Sequence, residues 1–181
     1  GNFAPHLELE HSLATFKGTE AALTFSSGSS VPLGVLPALA GSDDCIILDK
    51  LSHACLVDGA RLSGATLRVY PHNHLDRLES HLRWAREKFP KGKIFILTES
   101  VFSMDGDMAP LPEIVKLAKK YGAMTFVDDA HGEGVVGKAG RGIVDHFGLH
   151  GQVDVEVGTF SKALGVMGGC IAGSAEIVEY I

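Results

Sequence analysis

Seven short apolar runs, separated by stretches of helix length, constrain this chain more than any other feature. Candidate strands fall at 22–25, 45–49, 66–71, 93–99, 124–129, 155–160 and 169–173. Two of them, Cys45-Ile46-Ile47-Leu48 and Ile94-Phe95-Ile96-Leu97, are apolar at every position rather than at every second one. A strand covered on both faces needs that pattern, which points to parallel strands with helices above and below. The intervening segments agree. Residues 111–121 place Leu111, Ile114, Val115, Ala118 and Tyr121 on one side, with Glu113 in the first turn, Lys119 and Lys120 in the last, and Gly122 as the stop. Residues 74–89 gather Leu75, Leu78, Leu82 and Ala85, with Asn73 expected as N-cap and Pro90 just beyond. The alternation predicts an α/β fold: a mostly parallel seven-stranded sheet with helices on both faces. Ligands of such sheets gather at the carboxyl edge, where Asp128 and Lys162 are expected.

Bulk properties narrow the function. With 45% hydrophobic and 21% charged residues the 181-residue chain reads as a globular protein. A net charge of −6 argues against a broad nucleic-acid footprint. No apolar run reaches the roughly 18 residues of a membrane span. Cys45, Cys55 and Cys170 are odd in number, widely spaced and set among apolar residues. They read as buried thiols in a reducing compartment, hence a cytoplasmic protein, rather than as disulfides or zinc ligands. The start lacks a targeting signal and the end stops inside an amphipathic pattern, so residues 1–181 read as the central piece of a longer polypeptide.

The chemistry lies in two strand ends. Thr159-Phe160-Ser161-Lys162 closes one apolar run, and Val127-Asp128-Asp129-Ala130-His131-Gly132 closes another. A lysine amine can form a Schiff base with an aldehyde cofactor. A carboxylate can hold the protonated pyridine nitrogen of pyridoxal phosphate, which makes the ring an electron sink. Lysine, aspartate and histidine together therefore point to carbanion chemistry on an amino acid. Ser26-Ser27-Gly28-Ser29-Ser30, between a strand and a helix, could present backbone N–H groups to a phosphate; a plain turn is the competing reading.

Other motifs carry less. Asp128, Asp129 and His131, with Asp105 and Asp107, could supply metal ligands, but a metallohydrolase leaves Lys162 without a task. Gly132-Glu133-Gly134-Val135-Val136-Gly137 matches a dinucleotide fingerprint, yet the glycine-rich stretch after it opens no long helix, so it reads as a tight turn near a ligand. His6 and His11 are five apart and suit a solvated helix better than zinc. His72 and His74 read as loop or cap residues. His53 follows the strand at 45–49, where its ring could cover a cofactor face or be a hydrogen-bonded core histidine.

Together, Leu51-Ser52-His53-Ala54, Glu99-Ser100-Val101-Phe102-Ser103-Met104-Asp105-Gly106-Asp107, Val127-Asp128-Asp129-Ala130-His131-Gly132 and Thr159-Phe160-Ser161-Lys162 occur in the order found in the α-oxoamine synthases. The resemblance covers essentially the whole chain and implies the large domain of a fold-type I pyridoxal-phosphate enzyme, without its N-terminal segment and smaller C-terminal domain. It implies that Lys162 holds the cofactor and then removes the substrate Cα proton, and that Asp128 pairs with the ring nitrogen. His53 would stack on the ring, His131 and Ser103 would lie near its phenolic oxygen, and Gly28, Ser29 and Thr159 would contact the phosphate. Glu99 receives a supporting role. The chain departs from the family at Ser29, commonly aromatic, at Pro32, commonly Asn, and at His74, where His-Asn-Asp is usual.

The implied reaction joins a small amino acid to an acyl-CoA, releasing CoA and carbon dioxide, in a homodimer with shared active sites. The 8-amino-7-oxononanoate, 2-amino-3-oxobutyrate, 5-aminolevulinate and sphingoid-base branches all stay open. An aminotransferase or aldol-type lyase shares the lysine and aspartate but is not expected to carry His53 with the Ser-Met-Asp-Gly-Asp segment. A non-catalytic scaffold has no need of Lys162.

Overall fold

The computed structural model describes residues 3–181. In chain order its elements are α1 (Ala4–Lys17), β1 (Ala21–Phe25), α2 (Ser30–Leu39), β2 (Cys45–Asp49), α3 (Ala54–Leu62), β3 (Thr66–Tyr70), α4 (Leu75–Lys88) and β4 (Ile94–Glu99). Then come α5 (Leu111–Tyr121), β5 (Met124–Asp128), a 3-10 turn at Lys138–Gly140, α6 (Ile143–His146), β6 (Val155–Thr159), β7 (Gly169–Gly173) and α7 (Ala175–Tyr180). The strands form one sheet in the order β1-β7-β6-β5-β4-β2-β3.

Every neighbouring pair is parallel except the two that involve β7, which runs against both β1 and β6. The reversal has a simple cause. Residues 160–168 join β6 to β7 without a helix, whereas a parallel return needs a crossover of about a dozen residues or more. All the other strands point the same way, so the ends of β1, β2, β4, β5 and β6 share one edge.

Apolar side chains alternate between two cores. Ile46, Leu48, Phe95 and Leu97 pack with Val35 and Leu36 of α2 and Leu56 and Ala60 of α3. Cys45, Ile47, Ile94 and Ile96 pack with Leu78 and Leu82 of α4 and Ile114 and Ala118 of α5. The two unbroken apolar runs are thus covered on both faces, and each fully buried Leu or Ile contributes about 1.5–3 kcal/mol. Their last residues are polar and still buried: Asp49, Glu99, Asp128 and Thr159 end β2, β4, β5 and β6.

Helix α5 ends as expected, with Gly122 in the left-handed region at φ 60°. Helix α4 differs at its start. The N-cap is His74, whose ring accepts from the Arg77 N–H at 3.4 Å, while Asn73 takes φ 52° and donates its amide to Asp107 at 2.8 Å. Asparagine tolerates that left-handed conformation, so Asn73 serves the turn and the next residue serves the helix. On α1 the side chains of 6–11 face solvent except Glu10, which accepts from the N–H and hydroxyl of Thr24, both at 2.9 Å.

Beneath the sheet edge lies a buried ionic cluster. The Lys17 Nζ donates to Asp129 Oδ2 at 2.9 Å and sits 3.6 Å from Glu133 and 3.7 Å from Glu156. One ammonium faces three carboxyl groups, and Glu156 Oε2 and both Glu133 oxygens have no hydrogen-bond partner among the described residues. Breaking such a cluster by removing Lys17 would strand buried charge.

Two consequences follow for stability. A Cβ at Gly59 on α3 would run into the carbonyl of Pro32 on α2, so Gly59→Ala is expected to cost about 1–3 kcal/mol in denaturant unfolding. Burial pushes the Glu156 carboxyl from 4.5 up to about 7. An acid raised in the folded state contributes stability below its unfolded pKa that is lost as pH climbs through the folded one. Glu156→Gln should remove that loss: the variant should melt above the parent at pH 8 and match it near pH 4.5, and a lower melting temperature at pH 8 would contradict this.

Candidate active site

The shared strand edge opens into a cleft of about 230 Å³, lined by residues from the ends of β1, β2, β4, β5 and β6. Each wall follows from local sequence.

After β1, Ser27 and Ser30 close a reciprocal pair. The Ser27 Oγ accepts the Ser30 N–H at 3.1 Å, and the Ser30 Oγ accepts the Ser27 N–H at 3.1 Å. This leaves the N–H groups of Gly28 and Ser29 without a protein acceptor among the described residues, at the start of the ten-residue α2. Glycine is required at 28 because a Cβ there would lie 2.5 Å from the Thr159 hydroxyl. The bare backbone therefore lies against Thr159, in the surroundings that suit an anion.

After β2, His53 caps α3. Its Nδ1 accepts the Cys55 N–H at 3.2 Å and lies 3.0 Å from the Cys55 Sγ. With Nδ1 accepting, the neutral ring carries its proton on Nε2. The His53 N–H donates to Glu99 Oε1 at 2.6 Å.

Asp128 and Glu99 are directly opposite each other on β5 and β4. Asp128 accepts the Ala130 N–H at 3.0 Å, and no cation lies within ion-pair distance among the described residues. Burial raises the Asp128 carboxyl above its ordinary range, opposed by the Ala130 N–H and the Lys162 charge. Burial, and then the Asp128 charge, lift Glu99 to about 7. His131 is pushed the other way, by burial and then by Lys162, which favours the neutral imidazole. Lys162 itself is exposed and lines the cleft after β6. An amine, a buried carboxylate wanting a cation, a neutral imidazole and a bare backbone thus surround one space.

Of the residues singled out in the sequence, Gly28, Ser29, His53, Asp128, His131, Thr159 and Lys162 all line this cleft. Ser103 does not: it is exposed in the loop after β4, and only its backbone amide bears on the site, by favouring the charged form of Glu99. Glu99, Cys55, Ser161 and Ser27 also line it. Ser161 and Cys55 sit inside or beside motifs already recognised, and their proximity to Lys162 and His53 was the available signal. Two of the carboxylates weighed as metal ligands have protein partners. Asp129 turns to Lys17, and Asp107 accepts from Asn73 and contacts His72 Nε2 at 2.8 Å. The glycine-rich run after His131 forms a turn in which Gly134, at φ 78°, packs so close to Ala163 that a Cβ would lie 2.5 Å from it. That turn supports the segment bearing Lys162.

Comparisons with known proteins bear on the family and the fold. The chain is 54% identical over its full length to the 8-amino-7-oxononanoate synthase of Thermosipho melanesiensis, of which it covers 46%. It therefore spans about half the length of the curated relatives it matches. A solved structure described as SPT with a PLP internal aldimine superposes with a TM-score of 0.92 at 40% identity, covering 99% of this chain and 44% of the other. The 8-amino-7-oxononanoate synthase of Francisella tularensis gives 0.83 at 32% identity, over 99% of this chain and 51% of that one. Residues 1–181 match the family described as aminotransferase class I and II from end to end. With its sheet, its strand-edge cleft and the lysine and aspartate that line it, the chain belongs to the aminotransferase class I and II family.

Proposed function

We propose that the protein carrying this chain is a pyridoxal-phosphate-dependent acyltransferase that condenses a small amino acid with an acyl-CoA, losing carbon dioxide, to give an α-oxoamine. The observation that carries the reading is that the Lys162 amine and the buried Asp128 carboxylate line the same cleft, opposite a bare backbone at the start of a helix. That the relatives are 8-amino-7-oxononanoate synthases supports the same reading. The residues fit the cofactor. Asp128 is a desolvated carboxylate with one backbone donor and room for a cation, and the Gly28 approach would be filled by any side chain.

When bound, pyridoxal phosphate supplies a sink for electrons released at the amino acid's Cα. The remaining work belongs to the chain. Lys162 Nζ would hold the cofactor through its aldehyde and, as a free amine, would accept the substrate Cα proton. Asp128 would pair with the ring nitrogen; an opposite charge in contact favours the protonated form by about 1–3 pKa units, or roughly 1.4–4 kcal/mol. The imidazole of His53 would cover one face of the ring, with Nε2–H as its available donor. His131, whose burial favours the neutral imidazole, would meet the phenolic oxygen. Gly28, Ser29 and the Thr159 hydroxyl would take the phosphate.

We also infer a homodimer with shared active sites. Leu164, Val166 and Met167, exposed in the loop that follows Lys162, support a second copy covering that side. Among the described residues no helix is long and apolar enough to cross a membrane, and the finer assignment to the cytoplasm rests on the three free thiols.

In full-length protein supplied with amino acid and acyl-CoA, free thiol should appear in step with product. Transamination without thiol release would instead favour a different activity of the same family. Asp128→Asn should retain part of the cofactor and lose roughly ten- to a thousandfold in turnover, the equivalent of those 1–3 units. Near-normal turnover would remove the electron-sink assignment.

A further inference from the structure

The function proposed above gives Glu99 no chemical step, yet its carboxyl group is placed at a cost. It is 3% exposed, ends β4, and stands directly opposite Asp128 with no cation between the two among the described residues. Burial first, and then the Asp128 charge, push the Glu99 carboxyl up to about 7. A residue retained in such a place has a task that a neutral apolar side chain could not perform.

Its contacts indicate the task. Glu99 Oε1 accepts the backbone N–H of His53 at 2.6 Å, across 46 positions of sequence. His53 is the hinge between β2 and α3, and its ring is exposed to the cleft. That ring is fastened on its own side by Cys55, whose N–H donates to Nδ1 at 3.2 Å and whose Sγ lies 3.0 Å from it. The backbone of His53 is therefore fixed by Glu99 and its ring by the first turn of α3. Asp49, at the end of β2, does the equivalent work outside the cleft, where it accepts the N–H groups of Leu51 and Asn73 at 2.8 Å each. The sheet edge uses its terminal carboxylates to fasten loops.

We propose that Glu99 is a positioning residue for the reaction: its carboxyl oxygen fixes the His53 backbone and so sets the imidazole, with Nε2–H outward, over the cleft. This rests on the proposed function, in which His53 covers the cofactor. Glutamine retains the accepting oxygen and should substitute; alanine removes it.

The test uses the full-length protein as parent, Glu99→Gln, Glu99→Ala, His53→Ala and the double variant. Nitrogen-15 shifts of the His53 ring need no cofactor. The parent and Glu99→Gln should show an unprotonated Nδ1 beside a protonated Nε2, and Glu99→Ala an exchange-averaged pair. An unchanged ring pattern in Glu99→Ala overturns the proposal. With pyridoxal phosphate and substrates, Glu99→Ala should lose roughly ten- to a hundredfold in kcat, Glu99→Gln less than about threefold, and the Glu99→Ala loss should fall to about twofold or less once His53 is already alanine. Additive losses, or Glu99→Gln falling as far as Glu99→Ala, also overturn it. Should the parent bind no pyridoxal phosphate, the functional reading fails by itself, and the ring-nitrogen shifts still decide whether Glu99 sets His53.

Discussion

A carboxylate removed from water needs a cation, and among the described residues Asp128 has none within ion-pair distance. The β5 strand carries it to the sheet edge, burial raises its pKa, and the Ala130 backbone N–H donates to it at 3.0 Å. The rest of the site is arranged around that unmet demand. Lys162 lines the same cleft, burial favours the neutral form of His131, and burial followed by the Asp128 charge pushes Glu99 toward protonation. Function resides where the local balance of charge is left open.

The neighbouring residue shows the opposite solution. Successive residues at a strand end point to opposite sides, so Asp129 turns away from the cleft and meets Lys17 at 2.9 Å. Glu133 and Glu156 share the same ammonium. Here the chain answers its own charges and ties α1 to the end of β5. The pair Asp128-Asp129 therefore divides into one residue for a ligand and one for the scaffold, a split set by strand geometry rather than by residue type.

Much of this was readable from sequence, because the signals were local. Short apolar runs placed all seven strands to within a residue at either end, and α5 carried its stop signal in Gly122. Lys162 and Asp128 were legible because each ends an apolar run, and strand ends are where such sheets place ligands. What escaped depended on distance or on fine geometry. Lys17 lies 112 residues from Asp129, and nothing in the amphipathic pattern of α1 marks it as buried. The expected sheet was mostly parallel, and its antiparallel member, β7, follows the short stretch after β6 that leaves no room for a crossover. Asn73 lost the cap of α4 because its left-handed backbone serves the turn. Ser103 sits in the expected motif, but its loop folds on itself, with Gly106 donating to the Phe102 carbonyl at 2.8 Å, which leaves the side chain outside the cleft lining.

The account stands on the Lys162 amine as the group that captures an aldehyde. Full-length protein mixed with pyridoxal phosphate, reduced with borohydride and digested, should yield one peptide bearing a pyridoxyl mass, with the label on Lys162. A peptide map with no label, or with the label on another lysine, would contradict it.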